Sequence, residues 1–315
     1  MSEKTEIKTN ILIIGIDKGV KNAINHMIAL RLEDVSFATI NTDGEQIQFT
    51  FNTSQIQMSS NRFKHLGTGG NPLLVPDEVL TDYKTIVNII HDFTMVFIVA
   101  GIEGEHSTKM APIIAQVVKS TKVLSVGLVA YPFDFEGIKR CERGEDLLER
   151  MNPYVDTLIT IPNQHIYSSS TDSLSLSDAS EKTNQALCQA VNAILSVRTS
   201  PPALRVDFDD IRTIMQNKGF ALFGLGYATG EGSVVKAAKE AIISPLLGET
   251  TLSRAKSVLI NVTSSHDVTF FAILAGVQII EDKVHKDAHV IFGWVANGDM
   301  EGTTVSIIAT ELEEN

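Results

Sequence analysis

Cysteine is rare in this chain of 315 residues, with only Cys141 and Cys188 present. Two isolated cysteines without metal-ligand spacing exclude a disulfide framework and a cysteine-based zinc site. We interpret both as buried, reduced thiols of a cytoplasmic protein. No apolar run approaches the roughly 18 residues of a membrane span. The polar start, MSEKTEIKTN, has no signal-peptide core, so we expect no secretory leader.

Basic residues are outnumbered: 26 Lys and Arg face 38 Asp and Glu, giving a net charge of −12. An acidic surface repels phosphate backbones and anionic lipids. We therefore expect no nucleic-acid partner and no direct membrane binding. The length suffices for one large domain or two ordinary ones.

Short apolar runs separated by amphipathic helix patterns dominate the first half. Such runs are typical of strands buried on both faces of a parallel sheet. The predicted strands are 11–14, 35–40, 56–58, 95–100, 123–129 and 157–161. The alternation predicts an α/β fold with a Rossmann-like parallel sheet covered by helices on both faces.

Polar loops follow four of these strands: DKGVKN, NTDG, GIEGEHST and PFDFEG. Ligands of parallel sheets bind at the carboxyl ends of the strands, where such loops converge. The four loops together predict a binding pocket.

The stretch MVFIVAGIEGEHSTKMAP, residues 95–112, has the strand–glycine turn–helix form of a phosphate-binding loop. Ser107 or Thr108 is the expected cap of its helix. Glu103 and Glu105 would repel a triphosphate, each unit charge pair costing about 4 kcal/mol at close range. We therefore expect the binding of a triphosphate to be weak or lost, with Glu105 acting as a phosphate mimic at the helix N-terminus.

The second half begins with a long helix, predicted from about 178 to 197 and capped by Asp178. A smaller α/β unit with a mixed sheet is predicted to follow. Its predicted strands are 221–225, 257–262, 289–296 and 303–310, and its predicted helices are 208–217, 232–243 and 268–280. We predict an α/β domain with the loop-lined pocket at 1–177, a central helix at 178–200 and a C-terminal domain at 201–315; the family resemblance given next implies that the first of these binds nucleotide.

Sequence blocks in both halves resemble the bacterial division protein FtsZ and, more distantly, tubulin. They are NTDGEQIQ, LGTGGNP, PFDFEGIKR, VDTLITIPN, VDFDDIRTIM, AKEAIISPLL and VLINVTS. The resemblance implies a GTPase fold, a role in the septation of dividing bacteria and polymerisation into head-to-tail cytoskeletal filaments. It also implies a split active site, in which an acidic loop of one subunit enters the nucleotide pocket of the next.

The resemblance carries over residue by residue. The nucleotide contacts it implies are Asn22, Asn41, Thr42, Asp43, Gly67, Gly69, Gly70, Asn71, Gly104, Thr108, Glu136, Arg140 and Asn184. Glu136 would take the ribose hydroxyls, Arg140 would lie near the base, and Asn184 would pair with the edge of guanine. Asp207 and Asp210 match the acidic positions that act on a neighbouring subunit. Mg is implied only if nucleotide binds.

This chain departs from the family pattern mainly in the loops that the resemblance implies would contact the phosphates. EGEHSTK replaces the family's GGGTGTG, and DKGVKN replaces its first glycine-rich loop. Ser180 stands where the family has a Phe, and the partner-binding tail of the family does not follow the last strand. We expect the tail's membrane-tethering partners not to be recruited.

Three hypotheses follow. The first is an FtsZ-like filament protein with weakened or lost GTP hydrolysis. The second is a divergent but working GTPase in which Lys18 or Lys109 contacts phosphate. The third is a non-filamentous binding protein that uses the former nucleotide pocket for another ligand.

One substitution suggests an interface without nucleotide. Arg205 replaces a neutral Asn on the loop that the resemblance places in the next subunit's pocket, where Glu103 and Glu105 lie. This cation and these carboxylates would be complementary in a filament that forms without nucleotide. The alternatives are a local Arg205–Asp207 pair, and a chain that joins or caps filaments of a true FtsZ.

Overall fold

The computed structural model describes most of the chain. It covers residues 10–16, 20–30, 32, 34–43, 46–51, 54–59, 84, 86–102, 105–168, 175–199, 204, 206–247, 252–298 and 300–312, with the backbone alone at 41–43, 46–51, 54–59, 105–107 and 176.

Within those residues, the strands form one sheet in the order β10-β9-β11-β8-β7-β6-β5-β1-β2-β3-β4. The strands are β1 (Ile11–Ile16), β2 (Val35–Asp43), β3 (Gln46–Phe51), β4 (Ser54–Ser59), β5 (Met95–Gly101), β6 (Leu124–Tyr131), β7 (Thr157–Pro162), β8 (Gly219–Ala228), β9 (Ala255–Ser264), β10 (His289–Ala296) and β11 (Thr303–Leu312). The helices are α1 (Lys21–Ala29), α2 (Glu105–Thr121), α3 (Ile138–Met151), α4 (Asn163–Ser168), α5 (Leu176–Ser196), α6 (Phe208–Met215), α7 (Ser233–Ile242) and α8 (Phe270–Glu281). Residues 86–91 are also helical.

The first half is the predicted parallel sheet with helices on both faces. Strands β2, β1, β5, β6 and β7 run parallel, and β1 and β5 are buried throughout. Their side chains alternate between two apolar clusters. One cluster packs against α1, α5 and α6, and the other against α2 and α3. The predicted fold class is confirmed.

The far edge of this sheet differs from the prediction. Strand β2 continues through Asn41, Thr42 and Asp43, which pair with β3, whereas we expected a loop there. Strands β3 and β4 extend the sheet in antiparallel fashion, whereas only a short strand at 56–58 was expected. The missed signal is the alternation of polar and apolar residues in QIQFTF, which is typical of a strand with one polar face.

Helix α5 starts earlier than predicted. Ser175 is its N-cap, since its hydroxyl accepts from the Asp178 N–H at 3.2 Å, and Asp178 is the third helical residue that completes the capping box. The prediction that Asp178 itself is the cap was therefore wrong. At the other end of α5, Ser196 Oγ accepts from Asn261 Nδ2 at 3.0 Å, which ties the helix to β9.

The second half is a mixed sheet, as predicted. Strand β11 runs antiparallel to both β8 and β9, and β10 runs parallel to β9. Helices α7 and α8 cover one face of this sheet. Strand β8 also pairs in parallel with β7, but over only three residues, Gly219–Ala221. Strands β8 and β9 are longer than predicted because the residues at both of their ends are also paired with neighbouring strands.

The two cysteines differ in environment. Cys188 is buried, and burial raises the pKa of its thiol to about 11. Cys141 is only half-buried, so the prediction that both are buried was wrong for Cys141.

A buried carboxylate, Asp156, joins several elements at the amino ends of the strands. Its Oδ2 accepts from the Ser125 N–H and hydroxyl, both at 2.9 Å. Its Oδ1 accepts from Lys119 Nζ and from the Asn217 N–H, both at 3.3 Å. Asp156 is only 4% exposed, and it is the acceptor that joins Ser125 of β6 to Asn217 and Lys119, although Lys119 Nζ also donates to Asn217 Oδ1 at 3.0 Å.

We expect Asp156→Ala to lower the free energy of unfolding by about 3 kcal/mol, because buried donors lose their acceptor. Urea unfolding measures the change. Asp146→Ala is the matched control, since Asp146 pairs with Arg150 at the surface and its loss should cost less than about 1 kcal/mol. Equal losses in both variants would contradict a structural role for Asp156.

Glu311 makes the free energy of unfolding depend on pH in the acidic range. Hydrogen bonds from Lys218 Nζ (2.5 Å) and from Ser257 Oγ (2.9 Å) lower the pKa of its carboxyl below the ordinary 4.5. A carboxyl with a lowered folded-state pKa stabilises the fold above its unfolded-state pKa, and this contribution disappears as the pH falls.

We therefore expect Glu311→Gln to lower the free energy of unfolding at pH 7 and to lower it less at pH 3.5. At either pH the loss should stay under about 1 kcal/mol, because the side chain is half-exposed. Urea unfolding of both proteins at the two pH values measures it. A cost that grows in acid would contradict this sign.

Candidate functional site

A cavity of about 380 Å³ lies where the sequence predicts a pocket. It is lined by Val20, Asn22, Gly101, Ile102, Ala130, Pro132, Phe133, Phe135, Glu136, Arg140, Asn163, Ser180, Thr183, Asn184 and Leu187. The first ten of these follow or end β1, β5 and β6, Asn163 follows β7, and the last four belong to α5. The cavity is therefore at the carboxyl ends of the parallel strands, closed on one side by the first half of α5.

Four predicted contact residues from separate parts of the sequence meet at this cavity. Asn22 comes from α1, Glu136 and Arg140 from the segment after β6, and Asn184 from α5. Thr108 is buried in α2 but is not among the lining residues.

Glu136 and Arg140 are positioned by a tight turn. Gly137 has φ 96°, a conformation that side-chain-bearing residues rarely adopt, and it separates a short 3₁₀ turn from α3. One Glu136 oxygen accepts from the Phe133 N–H at 2.9 Å, and the other pairs with the Arg140 guanidinium. The pair presents a carboxylate and a cation side by side at the cavity.

The α5 wall is polar and buried. Thr183 Oγ1 donates to Asn163 Oδ1 at 2.8 Å, which fixes both side chains. Asn184 is 7% exposed, and its amide has no hydrogen-bond partner among the described residues. A buried amide of this kind offers one acceptor and two donors to a ligand.

Stacked aromatic rings form another side of the cavity. Phe133 and Phe135 have ring centroids 4.9 Å apart and planes 16° from parallel. Phe135 is 59% exposed at the rim. Ser180, which replaces the family's Phe, contributes a small polar side chain to the α5 wall.

Several predicted residues lie outside the described part of the chain. They are Lys18, Gly67, Gly69, Gly70, Asn71, Glu103, Gly104 and Arg205. The side chains of Asn41, Thr42, Asp43 and Glu105 also lie outside that part. Glu105 is the first residue of α2, so the prediction that Ser107 or Thr108 caps this helix was wrong. An acidic first residue suits the positive end of the helix dipole, which favours the earlier start.

The acidic pair lies at the other end of the molecule. Asp207 precedes α6, and its N–H donates to Asp210 Oδ2 at 3.2 Å. Burial, and then the charge of Asp207, raise the pKa of the Asp210 carboxyl above its ordinary value. The end of α6 is held at the start of β7, where Thr157 Oγ1 donates to the Met215 carbonyl at 2.5 Å.

Helix α5 separates the two ends. Its 21 residues extend about 30 Å, with Ser180 and Asn184 near one end and Ser196 at the other. Asp207 and Asp210 are not among the residues that line the cavity of their own chain.

The sequence analysis placed the loop PFDFEG at the pocket but did not single out Phe133 or Phe135, and it missed Asn163 and Thr183. Asn163 directly follows the buried strand in TLITIPN, which is the signal that could have found it. Within the described residues, no group of His, Cys, Asp and Glu is arranged to hold a metal ion. In the same part of the chain, no helix has the length and apolar character of a membrane span.

A parallel sheet with a polar cavity at its carboxyl ends, joined by a long helix to a mixed sheet, defines the tubulin-like class of two-part α/β proteins. Residues 10–171 match the family model of the tubulin/FtsZ GTPase domain, and residues 219–313 match that of the FtsZ C-terminal domain. The chain belongs to the FtsZ family.

Individual relatives agree with this. The cell division protein FtsZ of Caulobacter vibrioides is 36% identical over 310 residues, which are 98% of this chain and 61% of that protein. FtsZ of Rickettsia conorii is 33% identical over 313 residues, 99% of this chain and 69% of that one. An empty FtsZ dimer from M. jannaschii superimposes with a TM-score of 0.82 at 27% identity, covering 96% of this chain and 88% of that chain. The chain thus spans less than two thirds of the Caulobacter relative.

Proposed function

We propose that this chain is a cytoplasmic, FtsZ-like cytoskeletal protein that forms or joins head-to-tail filaments in bacterial cell division. We also propose that its GTP binding and hydrolysis are weakened. The observation that carries the proposal is the placement of the cavity and the acidic pair at opposite ends of the molecule. Groups so placed can act together only when the acidic end of one copy meets the cavity of the next.

The described part of the cavity fits the nucleoside of GTP or GDP. The unpartnered Asn184 amide can pair with the edge of guanine, and the Glu136 carboxylate can accept from ribose hydroxyls. Arg140, held by Glu136, would lie near the base, with Asn22 across the cavity. Ser180 offers less stacking surface than an aromatic ring, which lowers affinity for the base.

The phosphate side is where binding is weakened. Glu103, just before α2, and Glu105, its first residue, add two negative charges next to the expected position of the phosphates. When bound, nucleotide would bring Mg, which offsets phosphate charge. The remaining contacts proposed from the resemblance are Asn41, Thr42, Asp43, Gly67, Gly69, Gly70, Asn71, Gly104 and Thr108.

Hydrolysis would need Asp207 and Asp210 of the adjoining copy. A carboxyl whose pKa is raised, as for Asp210, is better matched to accepting a proton from water than an ordinary aspartate.

The runner-up function is a divergent but working GTPase. The observation in its favour is that the residues proposed to contact the nucleoside converge on one cavity.

We expect Asn184→Ala to weaken the binding of GDP by about tenfold, because the base loses its hydrogen-bonding partner. Titration calorimetry with GDP measures the affinity, and Gln185→Ala on the exposed side of the same helix is the matched control.

The double substitution Glu103→Gly and Glu105→Gly should strengthen GTP binding, because it removes two negative charges that would repel the phosphates. Tight GTP binding by the parent, unaffected by the double change, would exclude weakened phosphate binding and favour the runner-up.

Arg205, Glu103 and Glu105 are proposed to form the charge pairs of the head-to-tail interface. Arg205→Glu should abolish assembly without nucleotide, and adding Glu105→Arg should partly restore it through the reversed pair. Pelleting at low salt and electron microscopy measure assembly, with Arg198→Glu, outside the loop, as control. If Arg205→Glu assembles like the parent, the interface proposal fails; if no variant or parent assembles, the filament proposal fails.

A further inference from the structure

Strand β10 ends the sheet of the second half, and its outer edge has no partner strand among the described residues. It pairs with β9 in unbroken register over eight residues, from His289 to Ala296. It is more exposed than β9 or β11, since only Gly293 is fully buried.

This edge lacks the features that prevent strands from associating. Proteins usually protect an edge with lysine, proline, a bulge or a very short strand. Residues 290–297, VIFGWVAN, contain no charge and no proline, although the whole chain carries a net charge of −12. Two copies can therefore approach along this strand without the repulsion expected elsewhere on their surfaces.

Helix α8 provides an independent observation. Its sequence, FFAILAGVQIIE, is apolar on all sides, which is typical of a helix that is buried all round. One stripe, with Ile273, Val277 and Ile280, packs onto β9 and β10. The stripe Phe271, Leu274, Ala275 and Gln278 is exposed, with Phe271 at 83%.

The exposed stripe faces the β10 edge. Gly276 faces α7, because a Cβ there would lie 2.6 Å from Val234 Cγ1. Leu274 and Gln278 are each two residues from Gly276, about 200° around the helix, so they lie on the side away from α7. That side overhangs the open strand edge.

We infer that β10 pairs with β10 of a second copy of this chain, antiparallel about a twofold axis at Gly293. In this register Phe292 lies opposite Trp294 of the partner subunit, and Ile291 opposite Val295 of the partner subunit. Aromatic and β-branched cross-strand pairs of this kind stabilise antiparallel sheets.

The same pairing covers α8. Each α8 lies over the two outermost strands, so the two α8 helices come about two strand spacings apart, roughly 10 Å. Helices pack at interaxial distances of about 8–10 Å. Leu274 and Phe271 of the two copies would then fill the space between them. Glu281 would approach the N-terminal end of the partner helix, where the dipole favours an acid.

This contact is distinct from head-to-tail assembly. The cavity and the acidic pair lie at the two ends of the strands, whereas the β10 edge faces sideways. An isologous contact closes at two copies, so alone it gives dimers and not filaments. Between filaments it would join neighbours that run in opposite directions.

The inference is tested by sedimentation velocity of the full-length chain carrying Arg205→Glu, without nucleotide. This substitution is chosen because it should remove the proposed head-to-tail contact and leave the β10 contact. We expect a dimer, with a molecular mass that does not rise beyond two copies as the protein concentration increases. Val295→Glu, Ile291→Lys and Phe271→Asp should each weaken it by at least about tenfold, because a charge replaces an apolar contact at two symmetric places. The control is Ile243→Glu, which places the same charge at an exposed apolar residue just after the C-terminal end of α7.

Mixing the Val295→Glu and Ile291→Lys chains should restore dimers, since Lys and Glu then face each other in the mixed pair. Thermal unfolding confirms that each variant folds. A parent that stays monomeric at high concentration would overturn the inference. Dimers that survive all three edge variants would assign the contact to another surface, and the absence of rescue on mixing would exclude this register.

Discussion

The structure depends on the length and rigidity of α5. This helix forms one wall of the cavity with Thr183 and Asn184, and 12 residues beyond Asn184 its Ser196 is bonded to the C-terminal sheet. The 12 residues from Asn184 to Ser196 span about 18 Å of helix between the cavity wall and the C-terminal sheet. The proposed split site depends on this separation, because the acidic pair of one copy would act only at the cavity of another.

The charges around the cavity are the basis of the proposed weakening of nucleotide binding. The described cavity offers neutral amides and one internally neutralised ion pair, Glu136–Arg140. Glu103, just before α2 in the sequence, and Glu105, its first residue, add two carboxylates. Under the proposal, these charges favour a cationic neighbour over a triphosphate.

The fold could largely be predicted from the sequence, because buried parallel strands are continuous apolar runs and the intervening helices are amphipathic. The β3–β4 hairpin could not, since QIQFTF is half polar and no strand was predicted there. The cavity was located from the loops at strand ends. Its polar wall was missed at Thr183 and Asn163, whose roles depend on a hydrogen bond between residues 20 apart. Helix starts were wrong at Ser175 and Glu105, where several neighbouring residues are equally good caps.

The short ladder between β7 and β8 has a mechanical consequence. Among the described residues, the two halves of the sheet are hydrogen-bonded to each other only through Thr157–Ile159 and Gly219–Ala221, while β8 pairs with β11 over seven residues. Hydrogen bonds loaded a few at a time break more easily than a long ladder loaded together. Bending of one half against the other would therefore concentrate strain where β7 meets β8. The apolar cluster that contains Ile159 in the first half and Phe223 and Ile308 in the second spans this junction, so a bend would also have to open that packing.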